Sequence, residues 1–432
     1  MIIALQVTIN NTFVVTNISS LFNLSACFKT LFAVSVLSLI FVVNANAQKL
    51  DDHGDFIIDT ADKVDIIDVV KDKFSFGTKK IKRSPGKKVY FSLLPVSSSI
   101  PGGGKALITS TSAGFYLGDR RNTYLSNVTF SPYLNFKGRY ALSFRSNIYT
   151  SKNLYNIQGD TRFSLYPEYV YGDNGYNNEK GKLLITYKYI RFYHTVLKKI
   201  RPYLLVGVGY NMDYHINIKA AEDTIAFTKF MGYDHGTADK QNTFSSGITF
   251  NLLYDTRNNA LNPLPGGYLN LIYRVNPYFL GNGNNTWKSI YLDTRKYISL
   301  PGQKRHVLAF WNYIWTALDN NVPYLDLPAI GYEPYQRSGR GIDQNRYRGK
   351  SMVYLESEYR SDITQNGLFG FVVFANATTT SGPADSKFRG VHPAAGARLR
   401  IKFNKRSNTN IAVDFGVSRH NTGVTFNLGE AF

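Results

Sequence analysis

The chain has 432 residues, and its 50 Lys and Arg against 30 Asp and Glu leave a formal net charge of +20. Tyr (31) and Phe (29) are abundant, Cys occurs once, and mean hydropathy is −0.22. This composition excludes a disulfide-stapled scaffold and, outside one N-terminal segment, a helical membrane protein; it favours aromatic-rich antiparallel strands.

The exceptional segment is "KTLFAVSVLSLIFVVNANA", which opens on Lys29, runs apolar and ends in Ala-x-Ala at Ala47. It reads as a signal peptide over 1–47, cleaved before Gln48. The stretch ahead of Lys29 is long for such a leader. "LSAC", ending at Cys27, is a rival lipoprotein box, but the apolar core follows that cysteine instead of preceding it. Cleavage at Ala47 leaves a mature chain without cysteine. Export rules out nucleic acid as the partner of the basic surplus, leaving anionic lipid or a polar channel wall.

Residues 48–87 form a separate stretch. "DTADKVDIIDVVKDKF" predicts a short amphipathic helix with Val64, Ile67, Val70 and Phe74 on one stripe. A basic "GTKKIKRSPGKK" follows. About 40 residues cannot build an ordinary core, so this is read as a periplasmic lead-in. "PGGGKA" (Pro101 to Ala106) resembles a phosphate loop, but Ser99 stands where Gly is needed and Ala106 where Ser or Thr is needed. A junction into the first strand is the expectation there.

From residue 88 to 432 the period is two. Tyr140, Leu142, Phe144 and Ile148 alternate with Arg139, Ser143, Arg145 and Asn147. Ala397, Leu399, Ile401 and Phe403 alternate with Arg398, Arg400 and Lys402, and Ile411, Val413, Phe415 and Val417 with Ala412, Asp414, Gly416 and Ser418. A soluble sandwich would alternate too. These segments, however, are longer than the five or six residues usual for soluble strands, and no dry core accepts a row of cations without partners. Tight connections ("FKGRY", "LPGQKRH", "NKRSNT") also alternate with long ones (218–242, 319–349, 378–390), as in outer-membrane barrels. The fold class is therefore all-β: a transmembrane antiparallel β-barrel of sixteen strands whose cations line a hydrated lumen.

Fifteen candidate strands can be placed, near 104–118, 123–136, 138–151, 158–172, 181–196, 201–216, 243–254, 266–280, 286–298, 305–318, 350–360, 367–377, 391–403, 409–418 and 422–432. An even count with both ends periplasmic calls for one more, expected before residue 243. In the last segment Val424, Phe426, Leu428 and Phe432 share a side, which places Phe432 outward at the lipid–water interface of a strand that pairs with the first. "Asn421-x-Gly423-x-x-Phe426-x-Leu428", closing on Phe432, fits the signal by which assembly machinery recognises outer-membrane barrels. Gly429 gives this strand either lability or barrel curvature.

Four stretches together resemble the BamA/TamA superfamily, the bacterial surface antigen family. They are "YDTRNNALNPLPGGYL" (Tyr254 to Leu269), "SGRGIDQNRYRGKSMVYLESEYR" (Ser338 to Arg360), "GLFGFVVFANATTT", and "AAGARLRIKF…NIAVDFGVSRHNTGVTFNLGEAF". They cover most of residues 243–432. The resemblance implies that the loop before the fifth-from-last strand folds back into the lumen and docks an Arg-Gly motif on the wall. Arg340 and Gly341 match it, with Ile342 at the usual aromatic position; Arg348-Gly349 is a second register. The implied lock partners are Glu356, Glu358 and Asn376, with Arg360 beside the glutamates. Phe374, Asn376 and Thr378 stand where the family has Phe-x-Asp-x-Gly, so a carboxylate is replaced by an amide. Asp255 and Arg257, with Pro263 and Gly266, read as a periplasmic turn in which Asp255 accepts from following amides and pairs with Arg257. Family members carry periplasmic POTRA modules before the barrel; the short lead-in here implies the barrel-only variety.

No nucleophile elbow, His pair or zinc-ligand set is present in the sequence. His53, His194, His215, His235, His306, His392 and His420 are scattered. A non-catalytic role without cofactors or metals is expected: assisting insertion or translocation of proteins or lipids, or serving in an envelope complex. A basic pore for anionic solutes is the alternative. The expected partners are outer-membrane lipids including anionic lipopolysaccharide, the outer-membrane assembly machinery during biogenesis, and envelope proteins. The expected location is the cell outer membrane, with both termini periplasmic.

Overall fold

The computed structural model describes residues 63–73, 89–99 and 105–432, less short gaps at 120–121, 136–138, 173–180, 222–224, 258–261, 264, 282, 284, 302–304, 335 and 406–407. The expected leader over 1–47, most of the 48–87 segment and the first part of "PGGGKA" lie outside the described residues. A helix, α1 (Ile66–Lys73), comes first. Asp65 and Asp68 exchange backbone-to-carboxylate hydrogen bonds at its start, of 2.9 and 3.3 Å, which satisfies two of the helix's orphan donors. The expected stripe is not buried: Ile67 and Val70 are exposed, Val64 precedes the helix, and Phe74 lies outside the described residues. The helix is held instead by polar groups. Lys405 Nζ lies 2.8 Å from Asp68, and the Lys405 amide donates to Asp65 at 2.9 Å.

Sixteen strands follow: β1 (Val89–Ser99), β2 (Lys105–Phe115), β3 (Ser126–Asn135), β4 (Arg139–Tyr149), β5 (Tyr155–Tyr171), β6 (Lys182–Arg201), β7 (Leu204–Ala220) and β8 (Gln241–Asp255). The second half comprises β9 (Gly266–Asn276), β10 (Trp287–Leu300), β11 (His306–Ala317), β12 (Ser351–Asp362), β13 (Phe369–Thr380), β14 (His392–Asn404), β15 (Thr409–Ser418) and β16 (Thr422–Leu428). All fifteen expected positions hold a strand, and the sixteenth is β1, ahead of residue 243. Each strand pairs antiparallel with its sequence neighbours in one sheet. Among the described residues no ladder joins β16 back to β1.

The alternation sorts the side chains as expected for a membrane-crossing wall. Leu399 is 65% exposed, whereas its neighbours Arg398 and Arg400 are 1% and 3% exposed. Phe144, Phe163, Phe192, Phe250 and Phe415 likewise face out. Strand parity divides the connections between two rims. The near rim holds the start of β1, the end of β16 and the turns at 202–203, 301–305 and 405–408; the far rim holds 221–240, 318–350 and 381–391. One expectation is corrected here: the tight β3–β4 turn falls on the far rim, among the long connections, because it follows an odd-numbered strand.

Strands β5, β6 and β7, of 17, 20 and 17 residues, exceed the roughly 9–11 that cross a bilayer. Their far ends wrap an apolar cap. Val170, Leu183, Ile185 and Ile218 pack against Phe227 of a short helix α2 (Phe227–Met231) and against Tyr233, Val322, Tyr324 and Leu327. A second cluster fills mid-lumen, joining Trp311, Tyr313 and Tyr354 of the wall to Ile330, Ile342 and Tyr347 of the 318–350 loop.

The C-terminus departs most from expectation. Phe432 does not sit at the lipid interface; it is 2% exposed, inside the barrel. Gly429 adopts φ +87°, a conformation that costs glycine little, and turns the chain inward after β16. Two forces hold the turn: Glu430 is drawn to lumenal arginines, and the Phe432 ring packs on Trp311 and Tyr297 at centroid distances of 5.2 and 6.1 Å.

Candidate functional site: the lumenal loop and its anchors

The loop from 318 to 350 enters the lumen from the far rim and spans it. On one side Arg145 of β4 donates to Gln336 at 2.9 Å, Arg162 of β5 reaches the Pro334 carbonyl at 3.4 Å, and Tyr332 donates to Glu168. On the other side lies Arg340. Its guanidinium donates to Glu356 and Glu358 of β12 and, at 3.1 Å, to Asp414 of β15. It also lies over the Phe374 ring of β13, 3.7 Å from the centroid. Burial works to lower the Arg340 pKa, but the three carboxylates outweigh it and hold the value well above the ordinary one.

The expected residues therefore meet, with differences in role. Glu356 and Glu358 both receive Arg340, and Arg360 braces Glu358 at 2.5 Å. Asn376 does not face the guanidinium; its amide donates to the Arg340 carbonyl at 2.9 Å. Gly341 has φ +85° and lies against Gly416 of β15: a Cβ on Gly416 would be 2.6 Å from the Gly341 nitrogen. Ile342 is buried in the mid-lumen cluster. The second register, Arg348, serves the loop's own base, donating to the carbonyls of Tyr324, Leu325 and Leu327 at 3.2, 2.7 and 3.2 Å.

Sequence reasoning missed three contributors. Asp414 supplies the carboxylate absent from position 376, Gly416 the clearance, and Glu430 a tie to the chain's end. Asp414 was legible in principle, since it lies on the inward parity opposite Arg398. Gly416 and Glu430 were not, because each matters only through a contact distant in sequence.

The inward tail completes the network. Glu430 accepts from Arg398 at 3.3 Å, Arg400 at 2.8 Å and Asn410 at 2.6 Å, while Arg337 of the loop donates to its carbonyl. Arg360 donates to the Phe432 carbonyl at 3.1 Å. Burial alone would raise the Glu430 carboxyl, but Arg400, Arg360 and Arg398 drive it well below the usual range. Arg340, Arg360, Arg398 and Arg400 thus have carboxylate partners. A cavity of 890 Å³ is lined by loop residues such as Arg337 and Arg340, by Glu168 and Lys182 across the lumen, and by Gly423, Val424 and Asn427 of β16.

The turn expected at Asp255 forms at the near rim. Arg257 returns two side-chain bonds and its own amide to Asp255 at 2.9 to 3.0 Å, and its guanidinium lies 4.1 Å from the Tyr268 centroid. Gly266 leaves room for this turn, since a Cβ there would stand 3.0 Å from the Thr256 carbonyl; Pro263 is buried beside it. At the other end of the sheet the Asn421 carbonyl caps the β15–β16 turn by accepting from the Ser418 amide at 2.8 Å. Gly423 pairs with Gly416, and Phe426 faces out.

No family model and no curated relative matches the chain. Solved structures do. BamA from Haemophilus ducreyi lacking POTRA domains 1–3 aligns with TM-score 0.50 at 13% identity, over 79% of this chain and 69% of that one. CdiB from Acinetobacter baumannii aligns with TM-score 0.50 at 13% identity, over 79% and 60%; CdiB from Escherichia coli with 0.52 at 11%, over 80% and 62%. The chain spans less than two thirds of either CdiB. In architecture it is a sixteen-stranded antiparallel barrel of the BamA and CdiB type.

Proposed function

We propose that this chain is an outer-membrane barrel that assists the insertion or translocation of proteins or lipids, without covalent chemistry, and that its near rim faces the periplasm. One observation carries the reading. Among the described residues β16 is only seven residues long and has a partner on one side only. The 890 Å³ cavity runs along that edge, from lumenal Arg340 and Asn427 to Val424, which is 59% exposed on the outer face. Unpaired backbone groups facing lipid are costly, so such an edge recruits a strand from elsewhere. The loop and tail meanwhile occlude the lumen, and Arg340, Arg360, Arg398 and Arg400 there are paired with carboxylates, which favours this reading over an open anion pore.

The test is the folding of an unfolded client barrel into liposomes. Liposomes carrying this chain are expected to speed the client's conversion to its heat-modifiable form, and a disulfide joining β1 to β16 to abolish the gain. Client folding no faster than in protein-free liposomes refutes the proposal.

A further inference from the structure

A band of polar side chains crosses the outer face of β4 to β8, where apolar groups are expected. Ser146, Gly159, His194 and Tyr210 are directly in register on four successive strands. Thr161 joins them through a 3.1 Å contact with His194 Nε2, and Tyr210 reaches Ser246 of β8 at 2.8 Å. Their outward direction follows from alternation. The same faces carry exposed Phe144, Phe163 and Phe192 on one side of the band and Ile157, Val196 and Val208 on the other. The band is thus enclosed by membrane-facing apolar residues.

Gly159 lies at its centre. A Cβ there would stand 2.7 Å from Ser146 Oγ and 3.0 Å from His194 Cε1, so only glycine lets those two side chains close over the strand. Thr161 meets one edge of the His194 ring, and a second ring nitrogen facing hydrocarbon is unfavourable unless it too is met inside the membrane. At a strand spacing of about 4.8 Å the five strands make a band roughly 19 Å across. That is too broad for one acyl chain and suited to another protein wall.

We propose that this face is a transmembrane interface and that its occupant is a second copy of this chain, related by a two-fold axis near Gly159. The groups themselves argue for a like partner. Serine, threonine, tyrosine and neutral histidine each both donate and accept, and the band carries no carboxylate or guanidinium demanding an opposite charge. An isologous contact needs a self-complementary patch of this kind.

The test uses the full chain with Cys27→Ser as background, reconstituted into phospholipid vesicles at high lipid excess. Thr161→Cys is compared with Phe415→Cys, an outward position on β15 that is 49% exposed. A thiol crosslinker is expected to give dimers with the Thr161→Cys variant and monomers with the Phe415→Cys variant. Adding His194→Leu should cut the dimer yield by about tenfold, the effect of losing one to two membrane-buried hydrogen bonds. Heat-modifiable migration confirms that each variant is a folded barrel. Equal crosslinking at both positions, or monomers at both, overturns the proposal. So does a His194→Leu variant that dimerises as before.

Discussion

Arg398 on β14 grips Asp414 on β15 with two hydrogen bonds of 2.6 and 2.7 Å, and the same carboxylate receives Arg340 from the loop at 3.1 Å. Arg398 in turn reaches Glu430 of the tail. One buried pair thus joins the far-rim loop to the near-rim tail.

Arg340→Ala leaves Glu356, Glu358 and Asp414 buried without their shared cation. Removing one partner of such a cluster costs about 3–5 kcal/mol. The heat-modifiable barrel should unfold at a lower temperature in detergent. Arg340→Lys should restore only part of the loss, because an ammonium lacks the guanidinium's fork. An unchanged unfolding temperature in Arg340→Ala would speak against the lock.

Gly416→Ala places a methyl 2.6 Å from the Gly341 nitrogen, and backbone cannot yield as a flexible side chain does. The loop should lift from the wall and become cleavable by protease within 331–345. Gly232→Ala is the control: its φ of +58° adds strain, but the new methyl meets nothing within 4 Å. Equal protease resistance in both variants would remove Gly416 from the site.

Glu430 makes the tail acid-sensitive. Its folded pKa is depressed below the ordinary 4.5, so its contribution is fully present above that value and is lost as pH falls through the folded one. The tail should stay docked at pH 5 and loosen only well below 4.5. Fluorescence of Trp311, which packs on Phe432, reports the release. In Glu430→Gln the tail should be loose at every pH, with a stability loss of about 3 kcal/mol.

Asp326 works in the opposite direction. It accepts from Ser245 at 2.5 Å inside the cap, and burial, reinforced by the Asp213 carboxylate, pushes it up to about 7. An acid with a raised folded value keeps its proton in the native state. Its stabilisation is therefore complete below the unfolded value near 3.8 and is lost as pH rises through about 7. Once the intrinsic base catalysis of amide exchange is divided out, hydrogen-exchange protection in the loop around Tyr324 should fall between pH 5 and pH 8, and Asp326→Asn should flatten that dependence.

Arg340→Ala and Glu430→Gln should also be non-additive. Both act on the Arg398–Asp414 pair, and sites sharing a network couple by about 0.5–3 kcal/mol. A double-mutant cycle on detergent unfolding measures the coupling; strict additivity would mean that the loop and tail are held independently.

The order of apolar and polar residues was enough to place fifteen of the sixteen strands and the inward cations, because a wall between lipid and water imposes a period of two on every crossing. The Arg-Gly loop was legible only through the family resemblance; its glutamates fitted that reading because a cation in such a lumen requires carboxylates and Glu356 and Glu358 stand on the inward parity nearby. Phe432 was misplaced because alternation says nothing about where a strand ends. Only folding sets Gly429 beside Asn410 and brings Arg398 and Arg400 within reach of Glu430. The same limit hid Gly416, whose missing side chain matters only when Gly341 arrives from 75 residues earlier. Local patterning follows from the solvent on each face of the sheet. The contacts that close the lumen depend on register and loop path, which no short stretch of sequence contains.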